Sequence, residues 1–171
     1  MTNLLRILAA AGALSLSFGA MSEDSKHNAA LSSVEGLASV LSDGYSSYHP
    51  EFTDVAFGQI TGNGPADVVA LFSVEGFGKS NMHYEYLAVF SAVPVVDPED
   101  SITPKPFRLI AFAQIGGKSI RSFLRDSLRI ERDAILVDGK QYSEGDPACC
   151  PSVPFSVVFR LRNGVLVEHD G

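Results

Sequence analysis

The chain of 171 residues has no tryptophan, two cysteines, four histidines, and 13 basic side chains against 20 acidic ones. Each shortage closes off a class of function. Without tryptophan, no stacking platform for sugars is signalled. A net charge of −7 with a pI near 5.0 lacks the basic footprint that a nucleic-acid partner needs. The same deficit argues against a surface held on anionic lipid. No G-x-S-x-G elbow and no H-E-x-x-H occurs. Gly78-Lys79-Ser80 and Gly117-Lys118-Ser119 end like a phosphate-binding loop, but the G-x-x-x-x-G-K-S spacing puts its first glycine where Ser73 and Phe112 stand. His27, His49, His83 and His169 are scattered and read as surface or strand side chains rather than as bases. No catalytic residue, metal ligand set or cofactor is predicted.

What is present begins at the N-terminus. Met1 to Arg6 carries one positive charge, Ile7 to Phe18 carries none and is apolar or small, and Gly19-Ala20 follows before the first acids, Glu23 and Asp24. That is the order of a cleavable secretory signal. Cleavage after Gly19 puts Ser17 at the upstream small-residue position, and cleavage after Ala20 puts Phe18 there; size favours the first. A buried helix should carry a polar stripe, which Ile7–Phe18 lacks apart from scattered serines. A retained anchor needs about 20 apolar residues, more than this run offers. No cysteine stands near the cleavage region to accept a lipid. Residues 1–20 are therefore expected to be a signal peptide, and 21–171 a single globular domain in the periplasm or the medium. Removing the signal removes Arg6 and no acid, which takes the net charge from −7 to −8. Hydrophobic residues make up 46% of the chain, enough for a packed core rather than a disordered one.

Met21 to Asn28 is polar and reads as a frayed leader. Leu31, Val34, Leu37 and Leu41 then fall on one face of a helix over 29–41, with Asn28 as its cap and Asp43-Gly44 as its stop. From Phe52 onward, short runs of Val, Ile, Phe and Tyr alternate with Gly, Pro, Asn and Asp. Strands are expected near 54–60, 67–74, 83–93, 107–114, 120–124, 127–131, 134–137, 155–162 and 165–168. Arg132-Asp133 and Asn163-Gly164 read as tight hairpin turns, the second with the residue pair that a type I′ turn favours. Pro94 to Pro106 holds four prolines and reads as one long loop, with Asp97, Glu99 and Asp100 as a solvated acidic tip. Tyr84 and Tyr86 share a strand face and, with Phe77 and Tyr48, could line a groove, though core or edge packing is the default. The expected class is α+β, mainly β: a meandering antiparallel sheet with one N-terminal helix packed on it.

The segment FGQITGNGPAD, running straight into VVALF, resembles the FG-GAP and VCBS type of repeat. There a D-x-[ND]-G-[ND]-G-x-x-D loop joins two strands and can hold Ca²⁺ through carboxylate and carbonyl oxygens. This chain places Gln59, Thr61 and Asn63 at the expected ligand positions and keeps one carboxylate, Asp67. Ca²⁺ affinity follows the number of charged ligands, so binding at about millimolar strength or weaker is expected. Gly62, Asn63, Gly64 and Asp67 read instead as a structural turn. The motif occurs once, whereas a propeller needs about four blades or more.

Two motifs in order, ITGNGPADVVALF with EGFGKSN and LAVF behind it, then YSEGDPACCPS before FRLRNGVLVE, make the chain resemble exported bacterial proteins of the LppP/LprE lipoprotein kind and their proteobacterial relatives. The resemblance implies an exported compartment and no established enzymatic activity. The lipid-accepting cysteine of the lipoproteins is missing here, so anchoring does not carry over.

Cys149 and Cys150 are neighbours. An even count in an exported protein points to a disulfide. Adjacent Cα atoms, about 3.8 Å apart across a trans peptide, fall below the usual disulfide span of about 4.4–6.8 Å. A vicinal bridge fixing the turn before Pro151 stands against two reduced thiols acting as small apolar groups. Redox catalysis lacks the C-x-x-C spacing, and a metal site with His49 or His169 lacks ligand spacing. The functional expectation is a non-enzymatic binding or envelope-associated domain with an unidentified protein or small-molecule partner, no nucleic acid and no integral membrane segment. The rivals are a hydrolase assembled from Ser80, His83 and Asp100, and a weak calcium module at Asn63 and Asp67.

Overall fold

A computed structural model describes residues 22–62, 64–91 and 107–170. The expected signal segment, Asn63 and the expected 94–106 loop with Asp97, Glu99 and Asp100 lie outside the described residues.

The helix α1 spans Glu23–Leu41. It begins well before the expected start, which corrects both the frayed leader and the Asn28 cap. Ser22 is the cap: its Oγ accepts the Ser25 amide at 3.2 Å, and Glu23 and Asp24 sit in the first turn, where the helix dipole favours negative charge. Local capping thus recruits six polar residues that have no core face of their own. The face is corrected too. Ala30, Val34 and Ala38 are the fully buried stripe, and Leu37 and Leu41 flank it. Alanines at the contact let the helix axis come close to the sheet.

Among the described residues ten strands follow: β1 (Ser47–Tyr48), β2 (Asp54–Gly58), β3 (Asp67–Phe77), β4 (Met82–Ser91), β5 (Arg108–Gly117), β6 (Arg121–Phe123), β7 (Arg129–Glu131), β8 (Ala134–Gln141), β9 (Val153–Arg162) and β10 (Val165–Asp170). Every pairing is antiparallel, in the order β1-β3-β4-β5-β6-β8-β9-β10, with β2 also on β3 and β7 also on β8. The meander expected from the turn spacing is therefore the observed architecture. Two features were not expected: the short β1 and the 3-10 turn Pro50–Phe52 that links it to β2. The second hairpin turn has Asn163 at φ +52° and Gly164 at +77°, the geometry the Asn-Gly pair favours.

The sheet curls over its inner face, so that β10 meets β5 and β2 meets β7. Two cores result. Val69, Leu71, Leu87, Val89, Ile135, Val137, Val157 and Phe159 fill the inside of the curl. Val68, Ala70, Phe72, Val74, Ala88 and Phe90 face the other way, against α1. This explains why β3 reads as an unbroken apolar run: both of its faces are covered, so period-2 alternation loses its polar partner. The aromatic set Tyr48, Phe77, Tyr84 and Tyr86 packs on the helix side, with Phe77 and Tyr84 centroids 4.9 Å apart and Phe72 and Tyr86 5.5 Å apart. It lines no groove.

Candidate functional site

The inner face changes chemistry along β3 and β4. From the core outward β3 presents Val69, Leu71, Ser73 and Glu75, and β4 presents Val89, Leu87, Glu85 and His83. Register makes Ser73 the cross-strand partner of Glu85, and Glu75 the partner of His83. Aliphatic packing thus gives way to a two-by-two patch of Ser, Glu, His and Glu. Over that patch opens a cavity of about 290 Å³, lined also by Phe52, Asp54, Ser122, Phe123 and Arg125.

Glu85 is the centre of this cleft. Its Oε2 accepts the Phe123 amide at 3.1 Å and its Oε1 the Ser122 hydroxyl at 3.1 Å. Burial raises its pKa from the ordinary 4.5 to about 7, against those two hydrogen bonds and the Arg121 charge, and Glu75 adds to the rise. The nearby cation does not neutralise it. Arg121 gives its Nη1 and Nη2 to Glu168 at 2.7 and 2.5 Å and its Nε to the Ile115 carbonyl at 2.6 Å.

The backbone is shaped around the carboxylate. Register between β4 and β5 shifts immediately after Glu85, where Ile115 is the extra residue of a bulge. Gly116 lies directly opposite, and a Cβ there would overlap the Glu85 carboxylate. A second carboxylate, Asp54, accepts the Asp126 amide at 2.7 Å, and burial still raises its pKa. Beside it the Arg125 guanidinium lies 3.9 Å from the Phe52 ring centroid.

Of the described residues singled out in the sequence as site candidates, only His83 belongs to the cleft. Ser80 sits in the exposed β3–β4 turn, its Oγ donating to the Phe77 carbonyl at 2.7 Å, and no hydrogen bond joins it to His83. Both Gly-Lys-Ser segments are hairpin turns, tied side by side by a hydrogen bond from Lys118 Nζ to Asn81 Oδ1. The sequence reading missed Glu85, Asp54 and Arg125. The one available signal was a charged residue amid the aromatic and aliphatic side chains of a strand.

In the glycine loop, Gly62 and Gly64 have φ of +76° and +83°. Asp67 is fully buried, and its carboxylate accepts the Ile60 amide at 2.9 Å, the Thr61 amide at 2.7 Å and the Thr61 hydroxyl. Among the described residues no group of three or more His, Cys, Asp or Glu is placed to hold a metal ion. Cys149 and Cys150 form a close pair on the exposed loop between β8 and β9, with Cα atoms 3.8 Å apart. Asp146 braces that loop by accepting the Ser143 and Ser152 amides at 2.8 and 2.9 Å. Among the described residues no helix is long and apolar enough to cross a membrane. Comparison with models of protein families, with curated proteins and with solved structures gave no match.

Proposed function

We propose that this chain is an exported, non-enzymatic binding domain that takes a small ligand into the cleft over Ser73, Glu75, His83 and Glu85. The observation that carries the reading is Glu85: a half-buried, partly desolvated carboxylate with no ion-pair partner among the described residues, lining an open cavity. Burying such a group costs stability, and a bulge and a glycine accommodate it. Groups held at such a cost concentrate where a ligand is handled. The apolar N-terminal run and the resemblance to exported lipoproteins support a periplasmic or secreted location. In that oxidising compartment the Cys149–Cys150 pair is a vicinal disulfide.

Two experiments test this. Amide chemical shifts recorded against a fragment library should move at Ser73, Glu85, Ser122 and Phe123; a library that leaves these amides unmoved sinks the reading. Recovery of the protein from the cell envelope or medium, with an N-terminus near residue 20 or 21, tests export, and retention in the cytoplasm with Met1 in place refutes it. Glu85 also favours a second reading, since a carboxyl with a pKa of about 7 suits general acid catalysis. Turnover of ester or glycoside substrates that disappears in Glu85→Gln would establish it.

A further inference from the structure

The cleft reading can be taken to a ligand class. We propose that the cleft recognises an organic cation, an ammonium- or amidinium-bearing molecule with a small apolar body, and that Glu85 and Glu75 supply its counter-charge. The proposal rests on the cleft being a binding site, and three structural features carry it.

First, the charge inside the cavity is unbalanced. Glu75, Glu85 and Asp54 line it against one arginine, Arg125, and one histidine, His83. Arg121, which faces Glu85 from β6, is held by Glu168 of β10. Glu85 receives hydrogen bonds only from the neutral Ser122 hydroxyl and Phe123 amide, and Glu75 makes no hydrogen bond or ion pair among the described residues. Each carboxylate keeps acceptor capacity toward the cavity.

Second, the chain already places a cation of the proposed kind at the rim. The Arg125 guanidinium lies 3.9 Å from the Phe52 ring centroid, and its charge acts on Asp54. An aromatic face backed by a carboxylate is a cation site, and the chain repeats the pairing at Phe123, whose amide meets Glu85 and whose ring carries the Arg121 guanidinium 5.1 Å from its centroid. Third, an inorganic ion is disfavoured, because the cleft carboxylates are not grouped to ligate a metal, whereas a volume of about 290 Å³ suits a small organic molecule.

The groups facing Glu85 are Ser73 and Glu75 from β3, His83 from β4, and Arg121, Ser122 and Phe123 from β6, with Asp54 and Arg125 at the rim. An entering cation meets a Glu85 that must be ionised to pair with it, so binding releases a proton near neutrality. The fraction of ionised Glu85 rises about tenfold from pH 6 to pH 8, and the apparent affinity follows it.

The test uses three probes of one shape: benzylammonium, benzyl alcohol and benzoate, titrated into the purified protein and followed by amide chemical shifts at pH 6, 7 and 8. The expected result is saturable shifts at Ser73, Glu85, Ser122 and Phe123 with benzylammonium. It should bind at least about tenfold more tightly than the alcohol at pH 8, and about tenfold more weakly at pH 6. Equal binding of the alcohol, or tighter binding of benzoate, overturns the cation assignment and leaves the small-ligand reading standing. Failure of all three probes and of a wider fragment library removes both. Glu85→Gln should flatten the pH dependence. Glu75→Gln, at the exposed rim and outside the core, should weaken benzylammonium several-fold with the pH dependence retained, and an unchanged affinity there counts against Glu75 as counter-charge.

Discussion

Glu85 on β4 accepts the backbone N–H of Phe123 on β6 at 3.1 Å, across a sequence separation of 38 residues. The contact ties β4 to β6 across the lining of the cleft. It also holds a partly desolvated carboxylate without an ion-pair partner among the described residues, and several measurable properties depend on that.

The first is the pH dependence of stability. The folded-state pKa of Glu85, about 7, lies above the ordinary 4.5, so the folded chain holds a proton that the unfolded chain releases. That stabilisation is complete below about pH 4.5 and is lost as the pH rises through 7. Glu85→Gln keeps the site neutral at every pH. Relative to the native chain it should therefore gain stability between pH 5 and pH 8, by at most about 3 kcal/mol. Urea unfolding of both proteins at four pH values measures this; parallel curves would show that Glu85 titrates as it does in water.

Gly116 should tolerate no side chain. A methyl group there meets the Glu85 carboxylate, the Arg121 carbonyl at 3.0 Å and the Phe123 ring at 3.1 Å. Gly116→Ala is expected to cost about 1–3 kcal/mol through overpacking and to displace Glu85 from the Phe123 amide. The readout is a stability loss together with a shifted Phe123 amide resonance. A fully stable variant with that resonance in place contradicts the geometry.

Asp67 is a different kind of carboxylate, one committed to its own loop. Asp67→Ala strands the buried Ile60 amide and the part-buried Thr61 amide, and should cost roughly 2–4 kcal/mol. Because the carboxylate is taken up by these donors, millimolar Ca²⁺ should leave the melting temperature of the native chain unchanged. A rise of several degrees would restore the calcium reading of this loop.

The cysteine pair should matter little to folding. A bridge between adjacent residues closes almost no loop, so its chain-entropy contribution is about 1 kcal/mol. The expected finding is no titratable thiol in the native protein, two after reduction, and a Cys149→Ser, Cys150→Ser double variant within about 1 kcal/mol of the parent. Two free thiols before reduction would show the pair to be unbonded.

Much of the architecture was legible in the chain. Asn163-Gly164, Arg132-Asp133 and the runs around them named the hairpins, because turn chemistry and period-2 burial are local. Boundaries were less legible where the local signal was weak. β9 starts at Val153 and carries Pro154 opposite Lys140, and β5 runs on to Gly117, through glycines that look like a break in the sequence. The helix start was misplaced because Ser22 looked like part of a polar leader, although its capping chemistry is equally local. The cleft was not legible. Ser73, Glu75, His83 and Glu85 alternate with apolar and aromatic residues near the open ends of two strands whose other ends are buried on both faces, so nothing local marks them as lining a cavity.

The sequence by itself determined an acidic composition without the G-x-S-x-G, H-E-x-x-H or P-loop spacings, and a meander with one helix. These depend on composition and on contacts between near neighbours. Only the tertiary structure decided that Glu85 would be half-buried, without an ion-pair partner and beside a cavity. That outcome needs the register of β4 against β3, the bulge at Ile115, the absence of a Cβ at Gly116, and the diversion of Arg121 to Glu168. Each of these is set by partners tens of residues away, because a carboxylate's environment is fixed by what the folded chain brings around it.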